Sequence, residues 1–258
     1  MHKLVRIAAT GSLAVAAALT LTAAPAMAAG PSDYHKGYTC AGGTIGSGHY
    51  GSITVTGMCA VATDAVIHVD GKLVVKAGAM LDAQSAPSTI MVDGDVMAGR
   101  GSFLGLGCQP NSTHAEHPCA ASPAGHSTIT VKGDVSAWGA DTVLLNGITV
   151  KGDVTLVGGG GSIPWAIKNN IVKGSITARD VTADWLGVLF NHVGKNVTLT
   201  NITVTDPGDP GRRVFVVRNV IGHNLSCYGL MPGVSGGLFP GEVNTVGHKA
   251  LGQCSTLV

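Results

Sequence analysis

Asn191-His-Val-Gly194, Asn219-Val-Ile-Gly222 and Asn244-Thr-Val-Gly247 repeat one phrase, preceded by the variant Asn170-Ile-Val-Lys-Gly174. An Asn, an aliphatic residue and a Gly in fixed order, returning at a near-constant interval, describe one turn of a solenoid whose units stack on their neighbours. A second form of the phrase runs upstream as Val69-Asp-Gly-Lys-Leu73, Val92-Asp-Gly-Asp-Val96, Val131-Lys-Gly-Asp-Val135, Val150-Lys-Gly-Asp-Val154 and Val172-Lys-Gly-Ser-Ile176. Its glycines and those of the first form are read as one column: Gly71, Gly94, Gly133, Gly152, Gly174, Gly194, Gly222 and Gly247. Every step is close to one coil except that from Gly94 to Gly133, which reads as two coils, part of it taken by the loop from Cys108 to Cys119.

Between the glycines the chain alternates, as in Ser127-Thr-Ile-Thr-Val131 and Asn196-Val-Thr-Leu-Thr-Asn-Ile-Thr-Val-Thr205. β-Branched residues at period two, punctuated by Gly, Asn and Asp, are short strands, and beyond Ala28 no stretch carries a helical apolar period. The expected architecture is all-β, a parallel β-helix of about nine or ten coils. At ~4.8 Å per strand it is roughly 45 Å long.

The first residues are basic (His2, Lys3, Arg6), an apolar run follows from Ile7 to Leu21, and Ala26-Met-Ala28 has the small-x-small form of a signal peptidase site. Residues 1–28 are therefore expected to be an export signal and 29–258 a single extracellular domain, with no membrane segment after cleavage. Removing Lys3 and Arg6 leaves 14 basic against 15 acidic side chains, so no basic field exists to attract nucleic acid or anionic lipid. The six cysteines then lie where disulfides persist. Cys40 and Cys59, and Cys227 and Cys254, are about one coil apart, and Cys108 and Cys119 close a loop; this sequential pairing, two bridges stapling the ends, is the expected one.

A buried Asn without partners costs about 1–3 kcal/mol. If Asn170, Asn191, Asn219 and Asn244, joined by Asn146, occupy one turn in successive coils, each amide donates to the coil on one side and accepts from the other. Such a ladder satisfies itself. Val193, Ile221 and Val246 then stack inward.

The regular coil, the Val-x-Gly-Asp-Val turns and the Asn column resemble the right-handed parallel β-helix superfold of pectate lyases and polygalacturonases. More narrowly they resemble secreted bacterial proteins of that shape without assigned activity, whose Gly-Gln-Cys end reads here Gly252-Gln-Cys254. The coil phrases are also similar to those of the cytosolic bactofilins. The resemblance implies a right-handed coil, and for the enzymatic members a lyase or glycoside hydrolase site. A polygalacturonase-like site requires a paired Asp-Asp and a Gly-His-Gly; this chain has Gly222-His-Asn224 and Gly247-His-Lys249 and no Asp-Asp. A lyase-like site requires clustered carboxylates for Ca²⁺ and an Arg-x-Pro base, and Arg212-Arg213 lacks that setting.

Candidate carboxylates remain, because glycoside hydrolysis uses two at about 5–9.5 Å. Asp134 and Asp153 hold the same repeat position one coil apart, and Asp180 and Asp184 form a second pair near Trp185. Cys108, His114, His117 and Cys119 have zinc-ligand spacing, with a disulfide and two surface histidines as the expected alternative; no other cofactor is indicated. The Gly158–Gly161 run lacks the Gly-Lys-Ser/Thr of a phosphate loop, and Asn111, Asn196, Asn201 and Asn224 stand in Asn-x-Ser/Thr triplets of the kind that arise wherever Asn turns precede Thr-rich strands. Trp138, Trp165 and Trp185, each about one coil from the next, are read as an aromatic strip on one face, extended by Arg212 or Arg213. Sugar rings stack on such faces. The functional expectation is a secreted surface or matrix protein that binds polysaccharide or cell-envelope glycan, the rival being a polysaccharide lyase or hydrolase.

Overall fold

Alternating Val, Ile and Thr cannot form a helical apolar face, and the computed structural model, which describes residues 36–110, 117–206, 213–237 and 243–258, contains strands and turns and no helix among them. The proposed signal at 1–28, Arg212 and His114 lie outside the described residues. Strand pairing is parallel throughout. One nine-stranded sheet runs in chain order through Gly48–Tyr50, Ala65–Val69, Ser88–Val92, Thr128–Val131, Thr149–Val150, Ile171–Val172, His192–Val193, Val220–Ile221 and Thr245–Val246. An eighteen-stranded sheet holds two long ladders, joined by the strand Ser52–Val61, which runs through both, while the far end of Val197–Val204 forms a short ladder of its own with Thr182–Ala183. Its first ladder includes Val96–Ala98, Val135–Trp138, Val154–Val157 and Ile176–Arg179; its second includes Phe103–Leu106, Thr142–Asn146, Trp165–Lys168, Leu186–Leu189 and Val214–Val217.

The registers put like over like. Val92, Val131, Val150, Val172, Val193, Ile221 and Val246 follow one another in the nine-stranded sheet. Their neighbours in sequence point outward, so a period of two along each strand becomes an apolar column facing in and a mixed one facing out, with Met91, Ile171 and Val220 exposed among Thr130, Thr149, His192 and Thr245. Buried Val, Leu and Ile fill the interior, each contributing about 1.5–3 kcal/mol relative to exposure.

Two expectations about the repeat are corrected. The long step from Gly94 to Gly133 is one rung, because Val92 pairs directly with Val131 and Val96 with Val135. The extra length is an excursion that leaves the stack after Leu106 and returns at Thr128, closed by Cys108–Cys119 and by the Ser127 amide donating to Cys108 O at 2.7 Å. The glycines also belong to two columns, not one. Gly94, Gly133, Gly152 and Gly174 stack, each amide donating at 3.0–3.1 Å to the glycine carbonyl before it, but the next member is Lys195, whose amide donates to Gly174 O. Gly194 instead occupies the position of Lys173, since Val172 pairs with Val193 and Ile176 with Val197. The aliphatic pairs set the register and the glycine slips by one.

The chain turns two corners per rung in the left-handed conformation. Gly101, Gly139, Gly158, Asp180 and Asn201 form one such column with φ between 52° and 66°, and Gly107, Gly147, Asn169, Phe190 and Arg218 supply another. Gly, Asn and Asp suit these corners because the first lacks a Cβ and the others tolerate positive φ. The Gly158–Gly161 run is such a place: Gly158, Gly159 and Gly160 all have positive φ, and a Cβ on Gly159 or Gly160 would overlap the carbonyls of Ala140 or Thr182 in the adjoining rungs.

Disulfides join Cys40 to Cys59, Cys108 to Cys119 and Cys227 to Cys254, the sequential pairing expected from the spacing. Three such bonds point to an oxidising environment. The carboxy-terminal segment folds back on the stack, where Leu257 O accepts both the amide N–H and the Nδ2 of Asn244 at 2.9 Å.

Candidate functional site

The buried Asn column is continuous over four rungs. Asn170 Nδ2 donates to Asn191 Oδ1 at 3.0 Å, Asn191 Nδ2 to Asn219 Oδ1 at 2.9 Å, and Asn219 Nδ2 to Asn244 Oδ1 at 2.8 Å. Each Nδ2 also donates to a main-chain carbonyl, from Leu145, Ile167, Val188 and Val216 in turn. Each Oδ1 accepts the amide N–H of the preceding rung, Ile148 for Asn170 and Asn170 for Asn191. The column therefore ends at Ile148, and Asn146 is not in it. Asn146 pairs with Lys168, two positions earlier in the rung, and although it is 1% exposed neither amide atom has a hydrogen-bond partner.

Asp134 and Asp153 belong to a second polar column that sequence reading missed. The Asp134 amide donates to Asp95 Oδ1 at 3.1 Å, Asp153 to Asp134 Oδ1 at 2.8 Å, and Ser175 to Asp153 Oδ1 at 2.7 Å. It continues through Asn196, whose Oδ1 accepts from the Asn224 amide, to Asn224, whose Oδ1 accepts from Lys249. For Asp95, Asp134, Asp153 and Ser175 the shared place after the stacked glycine was the available signal, whereas Asn196 and Asn224 follow Lys195 and His223, where the glycine has slipped by one, and the triplet reading hid them. The Asp134 amide and Lys72 Nζ, 3.1 Å away, hold the Asp95 carboxyl below the usual carboxylate range. Asp180 sits at a left-handed corner, paired with Arg179 at 2.9 Å and accepting from Asn201 Nδ2 at 3.2 Å. Asp184 lies in the next stretch of the rung, past Thr182–Ala183.

The three tryptophans do not form a strip. Trp165 is 0% exposed, donates Nε1–H to Asp141 O at 2.8 Å, and pairs with Leu186 at an inward position. Trp138 is half exposed at an outward position of a different ladder. Trp185 precedes Leu186, stacks on Phe215 at 5.5 Å and covers Gly187, where a Cβ would strike the indole. Spacing in sequence matched the coil, but inward or outward direction depends on strand parity within each rung, and the three differ. Arg213 packs its side chain against Gly233, near the rung of Phe215.

Instead, the register groups another outward set. Trp138, Val157, Arg179, Thr200 and Tyr228 succeed one another in five rungs, with Trp138 52% and Tyr228 50% exposed. Two positions earlier in each strand runs a row of hydroxyls, Ser136, Thr155, Thr177, Thr198 and Ser226.

In the excursion, Cys108 and Cys119 are joined to each other, so their sulfurs are not thiolate ligands for zinc. Burial first, then Lys168, lowers the pKa of His117, opposed by Asp82. Among the described residues, the side chains gathered closely enough to hold a cation are His49, His68 and Asp70 on the nine-stranded sheet, a group that the sequence did not single out. No protein-family model, curated protein or solved structure matches this chain.

Proposed function

We propose that the chain winds as a right-handed parallel β-helix of nine coils or so, is exported, and serves as an extracellular surface or matrix protein that binds polysaccharide along one lateral face. The carrying observation is the outward column from Trp138 to Tyr228 beside its row of hydroxyls. Four parallel-strand steps separate the two aromatics, about 19 Å at ~4.8 Å each. A polymer lying along the stack would meet an apolar ring at either end, the Arg179 guanidinium midway, and Ser and Thr donors and acceptors beside it. The disulfides suit an extracellular location. Support for a scaffold over a catalyst comes from the carboxylates, which accept backbone N–H groups of the adjoining rung.

Retention on insoluble neutral and acidic polysaccharides, with product analysis for unsaturated ends and reducing ends, tests this reading. Retention that falls at least about tenfold in Trp138→Ala plus Tyr228→Ala, without product release, is the expected result. Turnover abolished by Asp134→Asn or Asp153→Asn, or retention indifferent to both aromatics, would overturn it.

A further inference from the structure

We infer that His49, His68 and Asp70 form a binding site for one divalent transition-metal ion, zinc by ligand chemistry, that links two neighbouring rungs near the amino-terminal end of the described stack. His49 and His68 are register partners in Gly48–Tyr50 and Ala65–Val69, both at outward positions, so their rings stack with centroids 4.3 Å apart and planes 16° from parallel. Asp70 follows two positions after His68, at the turn where its amide donates to Tyr50 O. Its Oδ1 lies 2.5 Å from His49 Nε2 and 3.9 Å from His68 Nε2. The three ligand atoms all fall within 4.8 Å of one another.

A tetrahedral zinc ion with bonds of about 2.0–2.2 Å places its ligand atoms roughly 3.4 Å apart, so the His49–Asp70 contact opens and one imidazole turns out of the stack, since near-parallel rings do not both aim an in-plane lone pair at one ion. His68 Nε2 is shielded from solvent and lies between two carboxylates, 3.3 Å from Asp93 Oδ1 and 3.9 Å from Asp70 Oδ1. Carboxylates on two sides make that position favourable for a cation. The side chains are about one third exposed, which leaves room for water in the fourth position. Two imidazoles and one carboxylate select zinc and its first-row neighbours over calcium or magnesium, which prefer all-oxygen shells. Binding replaces the direct contact between His49 Nε2 and Asp70 Oδ1, both atoms turning to the ion. Asp93 remains beside the site on Lys132, whose Nζ is 2.9 Å from its Oδ1.

The site is separate from the proposed glycan face, so the two readings fail independently. The test is calorimetric titration of the full, disulfide-oxidised chain with Zn²⁺, together with Zn²⁺ titration of the imidazole nitrogen resonances of the wild-type protein. One ion per chain is expected, with the resonances of His49 and His68 moving together. His49→Gln and His68→Gln should each weaken binding at least about tenfold, a loss of the size that disturbing a metal's supporting groups already produces. His223→Gln plus His248→Gln removes the other stacked pair, whose centroids are 5.0 Å apart, and should leave affinity within about twofold. Absence of binding at ~0.1 mM, shifts confined to His223 and His248, or unchanged affinity in both single variants would overturn the assignment; the resonance measurement decides even if a variant fails to fold.

Discussion

Replacing Asn191 by leucine removes four hydrogen bonds, two accepted by Oδ1 from the Asn170 amide and Nδ2, and two donated by Nδ2 to Ile167 O and Asn219 Oδ1. Asn170 Nδ2 keeps Leu145 O, Asn219 Oδ1 keeps the Asn191 amide and Ile167 O stays in the strand ladder, so the group left without a partner is the Asn170 amide. The unpaired buried amide costs about 1–3 kcal/mol, the three other lost bonds about 0.5–1.5 kcal/mol each, and the apolar side chain returns about 1–2 kcal/mol of transfer energy. The net loss is about 2–4 kcal/mol. Asn146→Leu is the matched comparison, equally buried but with neither amide atom partnered, and there the same replacement removes a penalty of similar kind. It should be neutral or stabilising by about 1 kcal/mol. Urea unfolding with disulfides intact, followed by far-UV circular dichroism and intrinsic fluorescence, measures both. Equal destabilisation by the two substitutions, or a loss below about 1 kcal/mol at Asn191, would refute the ladder argument.

Two further outcomes follow from the turns and the excursion. A Cβ at Gly174 would overlap Asp153 Oδ1 and come within 2.6 Å of Gly152 O, so Gly174→Ala should destabilise by about 1–3 kcal/mol, whereas Gly46→Ala, with open space around it, should stay within about 0.5 kcal/mol in the same assay. Because burial lowers the His117 pKa, the folded chain binds fewer protons there than the unfolded one, and stability rises with pH. Its contribution is fully present above about 6.5 and is lost as pH falls toward the lowered folded value. Hydrogen exchange at Gln109, whose amide donates to His117 O, should therefore be faster relative to other strand amides at pH 5.5 than at pH 7.5, and His117→Asn should remove the difference; an unchanged ratio would contradict it.

Much of the fold was legible because a repeat forces like residues into like environments. The Val-x-Gly-Asp phrase encodes its own reasons: Val faces inward, Gly lets successive turns touch, and Asp accepts the amide of the adjoining turn. The Asn phrase encodes a buried amide column in the same way. Cysteines about one coil apart are joined because adjoining strands bring them near, though not opposite each other: Cys59 pairs with Gly43 and Cys227 with Gly252.

What only the tertiary structure decided is direction and exact height. Trp165 points inward and Trp138 outward because they lie on different ladders at opposite parity, a placement that inserts and corners reset and that spacing along the chain does not record. Asn146 missed the column by two positions for the same reason, and the long step from Gly94 to Gly133 became one rung because its surplus leaves the stack. His49, His68 and Asp70 stood in no recognisable motif. Their meeting depends on two strands of successive rungs lying side by side, with a turn carboxylate carried onto the same corner. Sequence determined the periodic terms, burial and turn chemistry, since these recur in every rung. Contacts made once, across rungs and around insertions, required the three-dimensional register.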